Sequence, residues 1–391
     1  MEFRSCVGFA LLGLSLGFAP ITAQAQNVVK IGMVGEFSGP FATYGQQMLG
    51  GMKAYMKLHG DTVAGKKIEI IQKDSTGPAP EVAKRLAQEL VTSDNADILV
   101  GFGFTPNALA AAPVATEAKK AMVIMNAATS IITTKSPEIV RVSMTLPQVT
   151  QPMALWAAQN GIRKVYTVVA DYGPGIDAEK EFIAAFKKAG GEIVGSVHVP
   201  LQNPDFAPFI QRVKDAKPEA VFLFLPAGQP GIAFMKAYEE RGLKEAGIKL
   251  LATGDITDDT VLQSMGDPAL GLITSFHYSA DHKSAENEAF KKAYAEAAGT
   301  NLRPNFMAAA GYDGMALIYE ALKKTNGSTD GEKLVAAMKG AKWMSPRGPV
   351  MIDPETRDIV QTVYIRKVEK VGGQLYNVEF DKFPDQKDPG K

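Results

Sequence analysis

Short apolar runs alternate with amphipathic stretches along almost the whole chain. Residues 28–34 (VVKIGMV) read as a strand, and a glycine-rich turn leads from it into a helical pattern over 46–59. KKIEIIQKDS, from residue 66, alternates like a strand with one buried face, and APEVAKRLAQELVTS, from 79, is an amphipathic helix. A strand over 97–101, a helix over 106–119 and a strand over 121–125 follow. Strands separated by helices pair in parallel, because each helix carries the chain back to the starting edge.

The pattern starts again near residue 148. Strands are expected at 164–170, 192–199, 219–225 and 249–253, with helices at 176–189, 206–215 and 231–241 between them. Helices over 285–297, 307–325 and 331–339 precede IVQTVYIRKVEKVGGQLYNVEF, which reads as two strands around Gly372-Gly373. The expectation is therefore α/β, with two doubly wound parallel-sheet lobes. Such sheets bind ligands beyond the carboxyl ends of their strands, and two of them face to face form a cleft that can close.

Composition narrows the function. The first 25 residues hold Arg4, an apolar segment and Ala23-Gln24-Ala25, which together predict a secretory signal peptide over 1–25 and an exported chain. Cys6, the only cysteine, lies inside that segment, so neither a disulfide nor a Cys-ligated metal is expected in the exported chain. Lysine plus arginine equals aspartate plus glutamate at 42 each, which leaves no whole-protein field to attract nucleic acid. GFGFTP begins like a dinucleotide fingerprint but has Pro106 in place of the third glycine, and no phosphate loop, nucleophile elbow or HExxH occurs. The four histidines share no ligand spacing and read as surface or capping residues, and Asp258-Asp259 reads as a helix start. No enzyme and no cofactor is expected.

Two turns carry the candidate chemistry. Thr105-Pro106 is placed to open a helix, with Thr105 as N-cap and Pro106 in the first turn. The free N–H groups of that turn suit a carboxylate, although Thr105 could simply cap its own helix. Phe102 and Phe104, two apart, would share one side if the strand continued. NAATS, residues 126–130, leaves the next strand at the same sheet edge and brings Thr129 and small side chains beside Thr105.

VVKIGMVGEFSGPFATYGQQMLGGMKAYM, the Thr105 turn and NAATS together resemble the leucine/isoleucine/valine-type solute-binding proteins of bacterial ABC transporters. The resemblance spans most of 27–380 and implies the type I periplasmic-binding fold with three crossover segments. It implies lobe 1 over 27–145 and 277–357, and lobe 2 over 146–276 and 358–391. It also implies a monomer that hands a small carboxylate solute to a membrane permease. By the same resemblance Thr105 binds the solute carboxylate, and Ala127 and Thr129 supply backbone and hydroxyl contacts. Tyr44 lines the first lobe's side, Tyr172 closes from the second, and Asp255 of ATGDITDD pairs with an ammonium.

Three departures bear on the ligand. LPAGQPG places Ala227 and Gly228 where an aromatic is common, Asp255 is one methylene short of the usual glutamate, and Phe104 stands where a cysteine can lie. A roomier pocket with Phe102, Phe104, Tyr44 and Tyr172 nearby would accept an aromatic carboxylate in place of a branched-chain amino acid. A sensory module for a membrane receptor would need the same cleft. Arg347 reads as an exposed structural residue near a crossover.

Overall fold

A computed structural model describes residues 1–2, 27–202 and 204–390. The expected signal peptide falls almost wholly on residues outside that set. Among the described residues no helix is long and apolar enough to cross a membrane.

The first sheet contains β1 (Val28–Gly35), β2 (Thr62–Val63), β3 (Lys66–Asp74), β4 (Ile98–Gly101), β5 (Met122–Ile124) and β6 (Ile139–Arg141) in the order β2-β3-β1-β4-β5-β6. All its pairs are parallel except β2 with β3. Helices α1 (Ala42–His59), α2 (Pro80–Thr92) and α3 (Thr105–Ala118) return the chain between strands. The chain builds outward from β1 first to β3 and then to β4, so the order reverses between β1 and β4. Their carboxyl ends open a crevice there.

The second sheet repeats this logic. It holds β7 (Lys164–Ala170), β8 (Glu192–Val199), β9 (Ala220–Phe224), β10 (Lys249–Thr253) and β11 (Ile273–Phe276), then β12 (Lys342–Ser345), β13 (Gly348–Ile352), β14 (Ile359–Val371) and β15 (Gln374–Gln386). Strands β8-β7-β9-β10-β11 are parallel, and the last four add antiparallel on the β11 side. Helices α4 (Leu146–Gln159), α5 (Gly173–Lys188), α6 (Ala207–Ala216), α7 (Gln229–Glu240) and the short α8 (Leu262–Met265) pack with this sheet. Helices α9 (Ala285–Ala297), α10 (Phe306–Lys324) and α11 (Gly331–Met338) return to the first lobe, where α10 and α9 pack on α1. Close approach of α10 to α1 depends on glycine: a Cβ at Gly51 would lie 1.9 Å from the Ala308 carbonyl.

Two features of the structure were not legible in the apolar pattern. Helix α4 opens with a capping box, in which Thr145 and Gln148 satisfy each other's backbone N–H groups, so the second lobe begins just after β6. Strands β12 and β13, which the resemblance leaves in lobe 1 up to 357, hydrogen-bond through β14 into the second sheet. They are too short to show a period of their own, and pairing with β14 decides their side.

Where the chain passes between lobes, buried arginines hold it. Arg347 is not the exposed residue expected from the sequence. It is 1% exposed, pairs with Asp313 of α10 at 2.8 Å and donates to the Val142 and Ser143 carbonyls. Burial lowers the pKa of this guanidinium and raises that of Asp313, the opposite charge working against both shifts. Arg347→Ala should lower the unfolding free energy by about 3–5 kcal/mol in urea titrations, because it leaves Asp313 charged and buried. Arg347→Met combined with Asp313→Leu should recover most of that loss.

Candidate functional site

The carboxyl ends of β1, β4 and β5 in one lobe face those of β7, β9 and β10 in the other. Between them Tyr44, Phe104, Thr105, Asn126, Tyr172 and Asp255 line a shared cavity with Phe224, Met144 and Leu146. Its volume is about 20 Å3, room for roughly one water molecule, so the lobes are closed on each other. A wider depression of about 410 Å3 lies near Phe41, Pro78 and Pro230, but no charged side chain among the described residues lines it. The polar groups converge in the small cavity.

The backbone at the end of β4 decides which side chains reach it. Gly101 and Phe102 both have positive φ, 101° and 63°, so the strand geometry stops there. Phe102 and Phe104 therefore do not share a side, contrary to the strand-based expectation. Phe102 joins the core outside the cleft with Val34 and Ala108, whereas Phe104 packs on Phe41 and Tyr44. Phe104 is also the N-cap of α3, with no side-chain cap bond, and Thr105 is already the first helical residue. Its hydroxyl is thus not spent on capping. It donates to Thr129 Oγ1 at 3.1 Å, and both threonines are buried.

Arg141 positions the second threonine. Its guanidinium is fully buried at the end of β6 and donates to the carbonyls of Ala127 (3.0 Å), Thr129 (2.9 Å) and Ser130 (3.3 Å), and to Asp358 Oδ1 (2.8 Å). Three carbonyls turned inward on one cation leave the Thr129 side chain facing Thr105. Ala127 is not brought to the cleft. Its N–H goes to the Phe102 carbonyl and its oxygen accepts from Arg141. Asn126 and Ala128 line the cavity in its place.

The second lobe contributes the opposite wall. Tyr172 caps α5 and stacks on Phe224 at 6.1 Å, while Tyr44 stacks on Phe104 at 5.2 Å. The Tyr44 hydroxyl donates across the cleft to the Ala227 carbonyl at 3.1 Å, and Ser130 N–H donates to Asp177 of α5 at 3.1 Å. A Cβ at Gly173 would lie 2.9 Å from Thr129 Oγ1, so only glycine lets the start of α5 come this close. Asp255 follows β10, is 5% exposed and accepts from the Thr253 hydroxyl at 2.8 Å. Burial pushes its carboxyl up to about 7 against that hydrogen bond. The phenols of Tyr44 and Tyr172 are pushed upward, also by burial, and stay neutral donors.

Sequence reasoning missed Asn126, Phe224 and Arg141. The first two end or follow strands at the crevice edge, a signal that was available. Arg141 gave none, because a lone arginine after a strand reads as surface. Asp258 and Asp259 do not cap a helix with their side chains. Both are buried, with Asn305 donating to Asp258 at 2.7 Å and Arg303 lying 3.7 Å from Asp259. Among the histidines, His277 is fully buried rather than a surface or cap residue, and burial lowers its pKa.

Comparison with known proteins places this geometry. A family model described as periplasmic binding protein matches residues 28–374. A Leu/Ile/Val-binding protein homolog 6 from Brucella melitensis is 45% identical over 97% of this chain and 98% of its own. A solute-binding protein of an ABC transporter from Rhodopseudomonas palustris BisB5, solved with 3,4-dihydroxybenzoic acid, is 56% identical with a TM-score of 0.89, over 93% of this chain and 99% of that one. Another from Rhodopseudomonas palustris, solved with 4-hydroxybenzoate, is 46% identical with a TM-score of 0.91 over the same shares.

The buried Asp255 carboxyl makes a pH prediction. Its pKa is 3.8 when solvated and about 7 here, so between those values the folded chain holds a proton that the unfolded chain releases. Its stabilising contribution is complete below about pH 4 and disappears as pH rises through 7. Asp255→Asn should therefore raise the melting temperature at pH 8 and flatten the slope between pH 4 and 7, measured by calorimetry.

Proposed function

Because the chain belongs to the periplasmic binding protein family and is a solute-binding protein of an ABC transporter, we propose that its solute is a small aromatic carboxylate of the hydroxybenzoate class. One observation carries the reading: a stacked aromatic pair from each lobe, Tyr44 with Phe104 and Tyr172 with Phe224, converges on the same cavity. Flat walls of this kind grip a ring by offset or edge contacts beyond the area they bury. The relatives solved with dihydroxybenzoic acid and 4-hydroxybenzoate support it at 46–56% identity.

The carboxylate goes to Thr105 and Thr129. Thr105 now donates to Thr129, and a carboxylate that accepts from both hydroxyls replaces that one neutral hydrogen bond with two charge-assisted ones. The dipole at the start of α3 adds to the attraction. Tyr172 closes over the ring from lobe 2, and Asp255 faces the far end as an acceptor for a ring hydroxyl. The cavity is too small for such a solute as the lobes stand here, so capture begins with the lobes apart and the solute-bound form leaves more room between them. The protein acts in the periplasm as a monomer. It catalyses nothing, uses no cofactor and no nucleic acid, and delivers its solute to the permease.

A second reading has a specific basis. The Brucella homologs carry a Leu/Ile/Val-binding name, and Asp255 could pair with an amino-acid ammonium. Two measurements separate them. A hundredfold excess of 4-hydroxybenzoate over its Kd should add about 2.7 kcal/mol to stability, seen as a melting shift of several degrees, with leucine giving none. In calorimetry, Asp255→Asn should leave benzoate affinity within about threefold. Loss of a charge-assisted contact would instead weaken leucine by roughly a hundredfold if the ammonium reading held. A leucine shift without an aromatic one would overturn the proposal.

A further inference from the structure

A second buried acid sits behind the carboxylate site. Glu36 follows β1 at the point where the strand order reverses, is fully buried, and packs one oxygen against the backbone of Gly103, which lines the cleft two residues before Thr105. A Cβ at Gly103 would lie 2.0 Å from Glu36 Oε2, so the contact exists only because that residue is glycine. Oε2 has no hydrogen-bond partner among the described residues. The other oxygen, Oε1, lies 3.2 Å from Ser75 Oγ and accepts from Asn107 Nδ2, in the first turn of α3, at 3.2 Å. Ser75 Oγ is in turn 3.3 Å from the Gly35 carbonyl, and Asn107 Nδ2 also donates to the Gly77 carbonyl at 2.9 Å.

The hydrogens of this cluster can be placed without conflict when the carboxyl is neutral. Its proton goes from Oε1 to Ser75 Oγ, whose own proton goes to the Gly35 carbonyl, while Asn107 supplies its two to Oε1 and Gly77. Ionisation would force Ser75 to turn toward the carboxylate and abandon Gly35. It would also bury an unpaired anionic oxygen beside the turn meant to hold a second anion.

We propose that Glu36 is a positioning residue that keeps a proton behind the solute site, and that capture of a carboxylate takes up a proton there whenever Glu36 is ionised in the free protein. The proposal rests on the reading that a carboxylate binds at Thr105 and Thr129. Burial pushes the Glu36 carboxyl up to about 8 against its bonds with Ser75 and Asn107, and the negative Asp74 at the end of β3 adds to the rise. The other titrating groups facing this region are Tyr44 on α1, held neutral, and Asp255 across the cavity, raised only to about 7. A bound anion makes the charged form of Glu36 less favourable still. Affinity should thus be level below about pH 7 and fall as pH rises through 8.

Calorimetry in buffers of different ionisation heat counts the protons. It is run on wild type and Glu36→Gln at pH 7.0 and 8.5, with 4-hydroxybenzoate and separately with leucine. Glutamine keeps the shape, carries no titrating proton, and with its amide oxygen in the place of Oε1 still accepts from Asn107. Wild type should take up roughly three-quarters of a proton more than the variant at pH 8.5 and almost none more at pH 7.0, and its Kd should weaken by about fourfold relative to the variant over that interval. Subtracting the variant removes any proton that Asp255 contributes. Equal proton counts in the two proteins overturn the proposal, whichever solute binds. If only leucine binds, the aromatic reading fails while the Glu36 count is still obtained. Should Glu36→Gln not fold, the same count in Asp255→Asn decides: uptake at pH 8.5 supports the proposal and its absence refutes it. In the ligand-free protein, a protonated-carboxyl infrared band at pH 7 that disappears in Glu36→Gln is the expected signature, and lack of that band refutes the proposal without any solute.

Discussion

The guanidinium of Arg141 sets the terms for the rest of the molecule. It is fully buried where the chain first leaves the first sheet, and it gathers the carbonyls of Ala127, Thr129 and Ser130 while pairing with Asp358 near the start of β14. One cation thereby fixes the loop that presents Thr129 and ties it to a strand of the opposite lobe. A hydrogen bond to a charged group contributes roughly 1.5–3 kcal/mol, and an unpartnered buried guanidinium costs more than that, so the loop has no cheap alternative. Pre-organisation of the solute loop and the coupling of the lobes are the same interaction.

Closure is made by groups at the cleft between the lobes. Tyr44 stacks on Phe104 within its own lobe and reaches the Ala227 carbonyl of the other. Gly173 lies against Thr129, and Asp177 one turn further along α5 accepts from Ser130. A solute bound between these residues shifts the balance between open and closed only by the difference in its affinity for the two. The departures from the family pattern act here. With Ala227 and Gly228 in place of a bulkier residue, a backbone carbonyl and not a ring meets Tyr44, which leaves the aromatic walls to the Tyr44–Phe104 and Tyr172–Phe224 pairs.

Acidic groups surround a site meant for an anion, and burial resolves the conflict. Glu36 and Asp255 are pushed up to about 8 and about 7, with desolvation the leading cause in each case. Neutral carboxyls donate or accept hydrogen bonds without opposing a bound carboxylate. The two acids lie on opposite sides of the cavity, Glu36 behind the start of α3 and Asp255 at the end of β10.

The alternation of strand and helix was plain in the sequence, because the strands are short apolar or alternating runs and most of their return helices are amphipathic; the helix over 285–297 and the strands flanking Gly372-Gly373 lie where the periodicity put them. The positions of Thr105 and Thr129 at one sheet edge followed from their places after strands, whereas Tyr44, Tyr172 and Asp255 came only from the resemblance to a family. What the pattern could not hold is anything that depends on a long-range partner. Phe102 turned away from Phe104 because Gly101 and Phe102 adopt positive φ, a choice made by packing. Arg347 and Arg141 became buried because carboxylates far along the chain, Asp313 and Asp358, arrived to meet them. The Ala127 backbone bonded to Arg141 and Phe102. Sequence by itself determined the layers, the crevice and the kinds of residue at its edge, since those rest on local periodicity and chain order. Tertiary structure alone decided which polar groups are spent on each other and which remain for a solute, since a hydrogen bond or an ion pair is settled only when both partners are in place.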